Sequence, residues 1–274
     1  MLNRALKTSL LAGVFSLVLL GCLIHQAAAQ SDTLVVVFNW SFQDVSWGPW
    51  KVELPRQLYD YYDSLSATEL CETYTIQLSN EIRIWDYKYF VTWQEKPIQD
   101  LARALEVAAE NSKYDYYNEA GFILAFVQSI LSKTSQERVR FPVETLVEGG
   151  ACSDKSILYA TLMIALQYDV VFLHIPSDNA QNSHLAVGVR GKDYPGGTYY
   201  VYNGKQYYYC ETTKIGQKFG EISLEMKKDA YILDAYCSQP IPEFPQDPVL
   251  VIVALASITL VLTRYTQKNE RYKG

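Results

Sequence analysis

The chain has 274 residues, a formal net charge of −6 and 49% hydrophobic residues, enough to bury one core of domain size. Arg4, Lys7, Arg264, Lys268, Arg271 and Lys273 lie in the terminal segments with Glu270 as the acid beside them, so the middle of the chain is more acidic than the whole. An acidic body argues against nucleic acid as a partner, because phosphate binding needs a basic face.

Residues 1–29 carry Arg4 and Lys7, then an apolar run from Leu10 to Ile24, then Ala27-Ala28-Ala29 before Gln30. That is the order of a secretory signal peptide. Leu19-Leu20-Gly21-Cys22 offers a second reading, a lipoprotein signal lipidated at Cys22, against which the bulk of Leu20 counts. On either reading the body is exported.

Residues 33–94 are strand-like and aromatic, with LVVVFNW, a turn region around Gly48-Pro49, and TYTIQLSNEIRIWDYKYFVTW. Residues 30–97 are therefore expected to form a β-rich extension ahead of a core at 98–236. Asn39-Trp40-Ser41 is a glycosylation sequon, which permits modification on an exported segment without predicting it. Pro97 opens a helix in which Ile98, Leu101, Ala102, Leu105, Ala108 and Ala109 fall at helical spacing. A second apolar helix is expected over 119–131. A third is expected over 156–167, with Ile157, Leu158, Leu162, Ala165 and Leu166 on one face. Glu148-Gly149-Gly150-Ala151-Cys152-Ser153-Asp154-Lys155 precedes it, so Cys152 sits where a glycine loop becomes a helix. Strands follow at 169–175, 184–190, 198–202 and 205–211, and Asn203-Gly204 between the last two is a strong hairpin signal. Helices first and an antiparallel sheet afterwards make an α+β fold.

Residues 237–247 are a proline-rich, extended spacer. Val249 to Leu262 is apolar and uncharged, and with its flanking residues the stretch 248–265 is close to the lower length limit of a bilayer helix. The basic tail at 266–274 then stays inside, which predicts a single-pass protein at the cell membrane with its ectodomain outside. Pro242-Glu243-Phe244-Pro245 ahead of the apolar run resembles the C-terminal sorting signals of archaeal surface proteins. On that likeness the helix is cut and replaced by a lipid instead of being kept as the anchor.

Thiol catalysis needs a thiolate, a base to take its proton and a group that orients the base. A helix N-terminus stabilises a thiolate through its unpaired amides and dipole, and Cys152 is placed there. Of the two histidines in the body, His174 lies inside the apolar run VVFLHIP and reads as a core residue. His184 begins a strand after a polar loop and is the candidate base. If 184–190 pairs antiparallel with 205–211 in the right register, His184 faces Glu211, the candidate orienting acid. This requires 191–204 to be an excursion carrying the hairpin, since a plain meander would put Glu211 at the far end of the sheet. With Cys152 as a nucleophile, Cys71, Cys210 and Cys237 leave room for at most one disulfide, whose pairing is open. Nothing in the sequence shows metal-ligand spacing, so neither metal nor cofactor is implied.

The blocks Phe126-Val127-Gln128-Ser129-Ile130, Arg140-Phe141-Pro142-Val143-Glu144-Thr145-Leu146-Val147-Glu148-Gly149-Gly150-Ala151-Cys152-Ser153-Asp154-Lys155-Ser156, His184-Leu185-Ala186-Val187-Gly188-Val189 and Tyr209-Cys210-Glu211-Thr212-Thr213 resemble the core of the transglutaminase-like superfamily in its archaeal and bacterial form. The resemblance covers roughly residues 35 to 225. It implies a circularly permuted relative of the papain fold, with Cys152 as nucleophile, His184 as general base and acid, and Glu211 where Asp is usual. It also implies that Gln128, or another upstream amide, helps bind the oxyanion. Members commonly read Gly-Asp-Cys-Glu-Asp at the nucleophile, where this chain has Gly150-Ala151-Cys152-Ser153-Asp154. Three readings follow: a peptidase, amidase or acyl-transfer enzyme acting on protein or peptide substrates, a catalytically silent surface module holding a peptide or glycan, and a structural envelope protein with Cys152 in a disulfide.

Overall fold

The computed structural model describes residues 33–67, 70, 75–78, 83–134, 138–176, 183–192, 194–222 and 229–236. The expected signal segment, the proline-rich spacer, the apolar tail, Cys22, Cys71 and Cys237 lie outside the described residues. Among the described residues no helix is long and apolar enough to cross a membrane.

Among the described residues the fold is α+β, with an N-terminal hairpin, five helices and then a five-stranded antiparallel sheet. Strands β1 (Thr33–Phe42) and β2 (Val45–Pro55) form the hairpin. Its turn is at Gln43-Asp44, both at positive φ, and not at Gly48-Pro49 as the sequence led us to expect. Gly48-Pro49 instead lies inside β2 where the register shifts between Phe38 and Trp40, so two residues face Asn39 alone. Gly48 has φ +121°, and a Cβ there would meet the Asn39 side chain at 2.5 Å. Bulges favour glycine for this reason.

Leu58 and Tyr62, four residues apart, are the buried face of helix α1 (Arg56–Asp63), which the tyrosine-rich text had concealed as strand. Short strands β3 (Thr75–Gln77) and β4 (Arg83–Trp85) and a 3-10 turn (Tyr87–Phe90) lead into α2 (Lys96–Asn111). Helix α2 buries Ile98, Leu101, Ala102, Leu105, Ala108 and Ala109, the positions that its apolar periodicity predicts. Helix α3 (Tyr116–Ser129) is capped by the Asp115 carboxylate, which accepts from Asn118 N. The hairpin packs on α3 through rings: Trp47 on Phe122 at 4.7 Å, Phe38 on Phe126 at 5.1 Å and Trp40 on Phe126 at 5.2 Å between centroids.

Helices α4 (Pro142–Glu148) and α5 (Cys152–Ala165) are joined by Gly149-Gly150-Ala151. Every residue of α5 from Asp154 to Met163 is buried, so this helix is the centre of the core. It packs on the sheet formed by β5 (Val170–Ile175), β6 (His184–Gly191), β7 (Tyr199–Tyr202), β8 (Lys205–Cys210) and β9 (Tyr231–Asp234), whose order is β7-β8-β6-β5-β9. Strand β6 therefore pairs with β8, while β7 hangs at the edge by the Asn203-Gly204 turn, where both residues have positive φ. That is the excursion topology, not the meander. Residues 229–236 add β9 beside β5 at the other edge, which the sequence reading had not foreseen.

Candidate active site

Cys152 is the first residue of α5 and is half-buried. The approach to it is held by a close set of contacts. Gly149 ends α4 at φ +83°, and a Cβ on it would collide with the Leu131 carbonyl oxygen. Gly150 N donates to Leu131 O at 3.0 Å, and Lys133 N donates to Gly150 O at 3.0 Å. A Cβ on Gly150 would meet Asp154 Cβ at 2.5 Å. The buried Asp154 carboxylate accepts from Ala151 N at 2.8 Å and from Arg140 N at 2.9 Å. An acid at the third position of a helix offsets the unpaired first-turn amides. The side-chain contacts of Asp154 are with backbone and Arg140.

The three sequence candidates are brought together. His184 Nε2 lies 2.8 Å from Glu211 Oε2, and Cys152 and His184 are hydrogen-bonded through their side chains. Because Nε2 is engaged by Glu211, Nδ1 is the ring nitrogen left for sulfur. The register differs from the expectation that set His184 opposite Glu211. Strand β6 pairs Val187 with Cys210 and Gly188 with Tyr209, so the continuation past β8 sets Glu211 across from Ala186. A displacement of two residues keeps the same face, and diagonal neighbours about 7–8 Å apart are within reach of long side chains. The contact survives the shift for that reason.

Each of the three groups is shifted in the sense that charge separation requires. Burial works to raise the Cys152 pKa, but the His184 hydrogen bond and charge, with the N–H groups of Leu185 and Ser153, outweigh it and hold the thiol below its ordinary value. Burial works to lower His184, yet its bonds to Cys152 and Glu211 and their charges lift it to about 9. Burial would raise Glu211, but His184 and the Thr213 side chain and N–H bring it down to about 2. All three shifts act in the direction that favours a thiolate beside an imidazolium over the neutral pair.

Residues without a role in the sequence reading do much of the positioning. Glu211 Oε2 also accepts from Tyr209 Oη at 2.7 Å, and Oε1 accepts from Thr213 Oγ1 at 2.6 Å and Thr213 N at 2.9 Å. Together with His184 this saturates the acceptor capacity of a carboxylate and favours its charged form. Ser156, one helical turn beyond Cys152, donates to Leu185 O at 2.8 Å and lies 3.0 Å from Thr212 Oγ1. It thus ties α5 to the residue after the histidine and to the residue after the acid. The Tyr209-Cys210-Glu211-Thr212-Thr213 block carried the signal for these residues, but only coordinates separate their roles.

Gln128, expected as an oxyanion donor, is engaged elsewhere. Its Nε2 donates to Glu211 O at 2.7 Å and to Gln217 O at 2.9 Å, and its Oε1 accepts from Gly216 N at 3.1 Å. Both amide hydrogens are taken, so its geometry is that of a tether for the segment bearing Glu211. Lys155, fully buried, donates to Gln128 O at 3.3 Å and Ser132 Oγ at 3.0 Å. Burial brings its pKa down to about 8 against the pull of Glu211. Gln128→Met should destabilise the fold by about 1–3 kcal/mol, because it leaves the buried carbonyl of Glu211 unpaired and releases the more exposed backbone groups of 216 and 217. Denaturant unfolding checks this, and a change below about 0.5 kcal/mol would rule out the tethering role.

His174 is buried, with Nδ1 lacking a hydrogen-bond partner, and burial together with the nearby His184 lowers its pKa. It is a core residue, as its apolar run predicts. Cys210 is a buried free thiol, pushed up to about 12 by burial, and Tyr159 Oη lies 3.8 Å from its sulfur. Asp63, Glu144 and Glu148 bring carboxylate oxygens within 4.8 Å of one another. Glu144 is paired with Arg138, and Glu148 with Arg140 and Lys133, so the cluster is an ion-pair network.

No family model and no curated protein matches this chain. Among solved structures, Legionella pneumophila LapG is similar in its EGTA-treated form at a TM-score of 0.35 and 15% identity, covering 52% of this chain and 84% of that one. The calcium-bound form of Legionella pneumophila LapG gives a TM-score of 0.35 and 15% identity over 57% of this chain and 97% of that one. Likeness at this level carries no functional weight.

Proposed function

We propose that this chain is an exported, membrane-anchored thiol enzyme that acts on amide or peptide carbonyls of surface or extracellular proteins, in the manner of the transglutaminase-like superfamily. The observation that carries the reading is the relay in which Glu211 holds His184 and His184 meets Cys152, with the thiol pKa lowered and the imidazole pKa raised. The Cys152 thiolate attacks the carbonyl carbon, forming a C–S bond while the carbonyl pair moves to oxygen. As that intermediate collapses, the C–N bond breaks and the departing amine takes the proton held by His184. The acyl thioester is then resolved by water or by an amine, whose proton returns to His184 as the C–S bond breaks and the thiolate is restored. The export and anchoring part of the proposal rests on the terminal sequence patterns alone.

An activated ester tests the reading. The full chain, kept in detergent, should release p-nitrophenolate from p-nitrophenyl acetate in a burst of about one equivalent per chain, as an accumulating acyl-enzyme does. Mass spectrometry should find the acetyl group on Cys152. A chain that gives no burst and carries no acetyl group on Cys152 is not an acyl-transfer enzyme.

A further inference from the structure

The hydrogen bonds that hold the Glu211 carboxylate fall in pairs. Thr213 N and Thr213 Oγ1 both donate to Oε1, at 2.9 and 2.6 Å. Oε2 lies 2.8 Å from His184 Nε2 and accepts from Tyr209 Oη at 2.7 Å. The imidazole therefore shares its oxygen with a phenol. Tyr209 stands on β8 two residues before Glu211, so the two side chains leave the same face of the chain. Its ring is fully buried in an apolar cluster with Leu173, Ile175 and Ala186, which keeps it from swinging away. Burial and the Glu211 charge push the phenol above the ordinary tyrosine range, so it stays a donor across any working pH.

We infer that Tyr209 is a positioning residue: its hydroxyl, donating to the Glu211 oxygen that meets His184, weakens the hold of the carboxylate on the imidazolium. This rests on the acyl-transfer function proposed above and deepens it. A donor on a carboxylate oxygen draws negative charge toward itself and stabilises the ionised acid. Less of that charge then acts on the imidazolium. His184 has to pass its proton to the departing amine, and an imidazolium held too tightly by its acid is a poor donor. With Tyr209 in place the imidazole stands at about 9; without it the imidazole would lie higher still, further from a neutral working pH. The phenol keeps its own proton throughout, and no bond to it forms or breaks in the acyl transfer. Cys152 and Lys155 from α5 and His174 from β5 also act on the His184–Glu211 pair, and Tyr200 and Cys210 act on the phenol. All of these are left in place by the substitutions that test the role.

Tyr209→Phe keeps the ring and removes the donor. An NMR titration of the full chain in detergent, with isotope-labelled histidine rings, reads the imidazole directly once the His184 signal is assigned by its loss in His184→Ala. The wild-type midpoint should lie near 9. Tyr209→Phe should raise it by about half a unit, part of the roughly one unit by which each of several hydrogen bonds moves a carboxylate. Tyr207→Phe, two residues back in the same strand, removes a bond to Asp169 and none to Glu211, so it should leave the midpoint unmoved. A ring-fluorinated tyrosine placed at position 209 alone is a stronger donor and should lower the midpoint. A midpoint that stays or falls in Tyr209→Phe, or that rises as far in Tyr207→Phe, overturns the inference. If Tyr209→Phe does not fold, a fluorinated chain whose midpoint stays or rises overturns it equally. The titration needs no substrate, so a wild-type chain without the p-nitrophenyl acetate burst overturns the parent function and leaves the hydrogen-bond result standing.

Discussion

At neutral pH, iodoacetamide should alkylate Cys152 of the full chain at least about 10-fold faster than an unperturbed thiol, and His184→Ala should slow that reaction about 10- to 100-fold. An ordinary cysteine is only a few per cent thiolate at neutral pH. Cys152 lies below its ordinary value because the bond and charge of His184 overcome burial. Without the imidazole, burial is opposed only by the Leu185 and Ser153 amides. The pH midpoint of alkylation should accordingly move upward, from below the ordinary thiol value to above it. Cys152→Ala should remove the label and lower acyl transfer by about 10⁴-fold or more, the scale on which a lost nucleophile acts. Cys210, buried and pushed up to about 12, should stay unlabelled in the folded chain. Peptide mapping by mass spectrometry reads all of these. A Cys152 that labels with an ordinary midpoint and ignores His184 would leave a binding module as the better reading, and a Cys152 found in a disulfide would favour an envelope protein.

What could be read from the sequence, and what could not, divides by the range of the forces involved. The buried stripe of α2, the loop-to-helix placement of Cys152 and the Asn203-Gly204 turn are set within a few residues, and local periodicity or turn chemistry exposes them. The hairpin turn was misplaced because Gly48-Pro49 is a turn signal in isolation, whereas here the register shift opposite Asn39 uses it. Helix α1 was hidden because tyrosine favours strands, and its burial of Leu58 and Tyr62 is decided by tertiary packing. Strand β9 is four residues long and pairs with β5 across a long stretch of chain, so no local pattern announces it. The register of β6 on β8 was wrong by two because the Asn203-Gly204 turn fixes β7 on β8 and says nothing about β6. The site survived because the displacement was even. The bonds made by Ser156, Gln128 and Thr213 depend on where backbone carbonyls and hydroxyls from distant segments end up, which composition and spacing do not encode.

Glu211→Gln tests the remaining arm of the relay, and it should shift a pH profile as well as a rate. The amide keeps the length of the side chain but loses the charge that, with His184's bond to Cys152, lifts the imidazole to about 9. Burial, which acts to lower that pKa, then counts for more. The alkaline limb of acyl transfer, which in the wild type should fall as pH rises through about 9 and His184 loses its proton, should move toward neutrality. The rate at neutral pH should drop about 10²–10⁴-fold, within the range seen when the orienting group of a triad is neutralised. Stability should respond as well. Glu211 is depressed to about 2, so its contribution is present above its unfolded pKa of about 4.3 and lost as pH falls toward 2. His184 is raised, so its contribution is present below its unfolded pKa of about 6.5 and lost as pH rises through about 9. Thermal melts of the wild type should therefore weaken on both sides of the interval between those limits, and the variant should lose the acid dependence and keep a reduced alkaline one, because Cys152 still raises the imidazole. If Glu211→Gln leaves the alkaline limb and the acid branch of the melting curve where they were, the carboxylate does not govern the histidine, and the relay reduces to Cys152 and His184 alone.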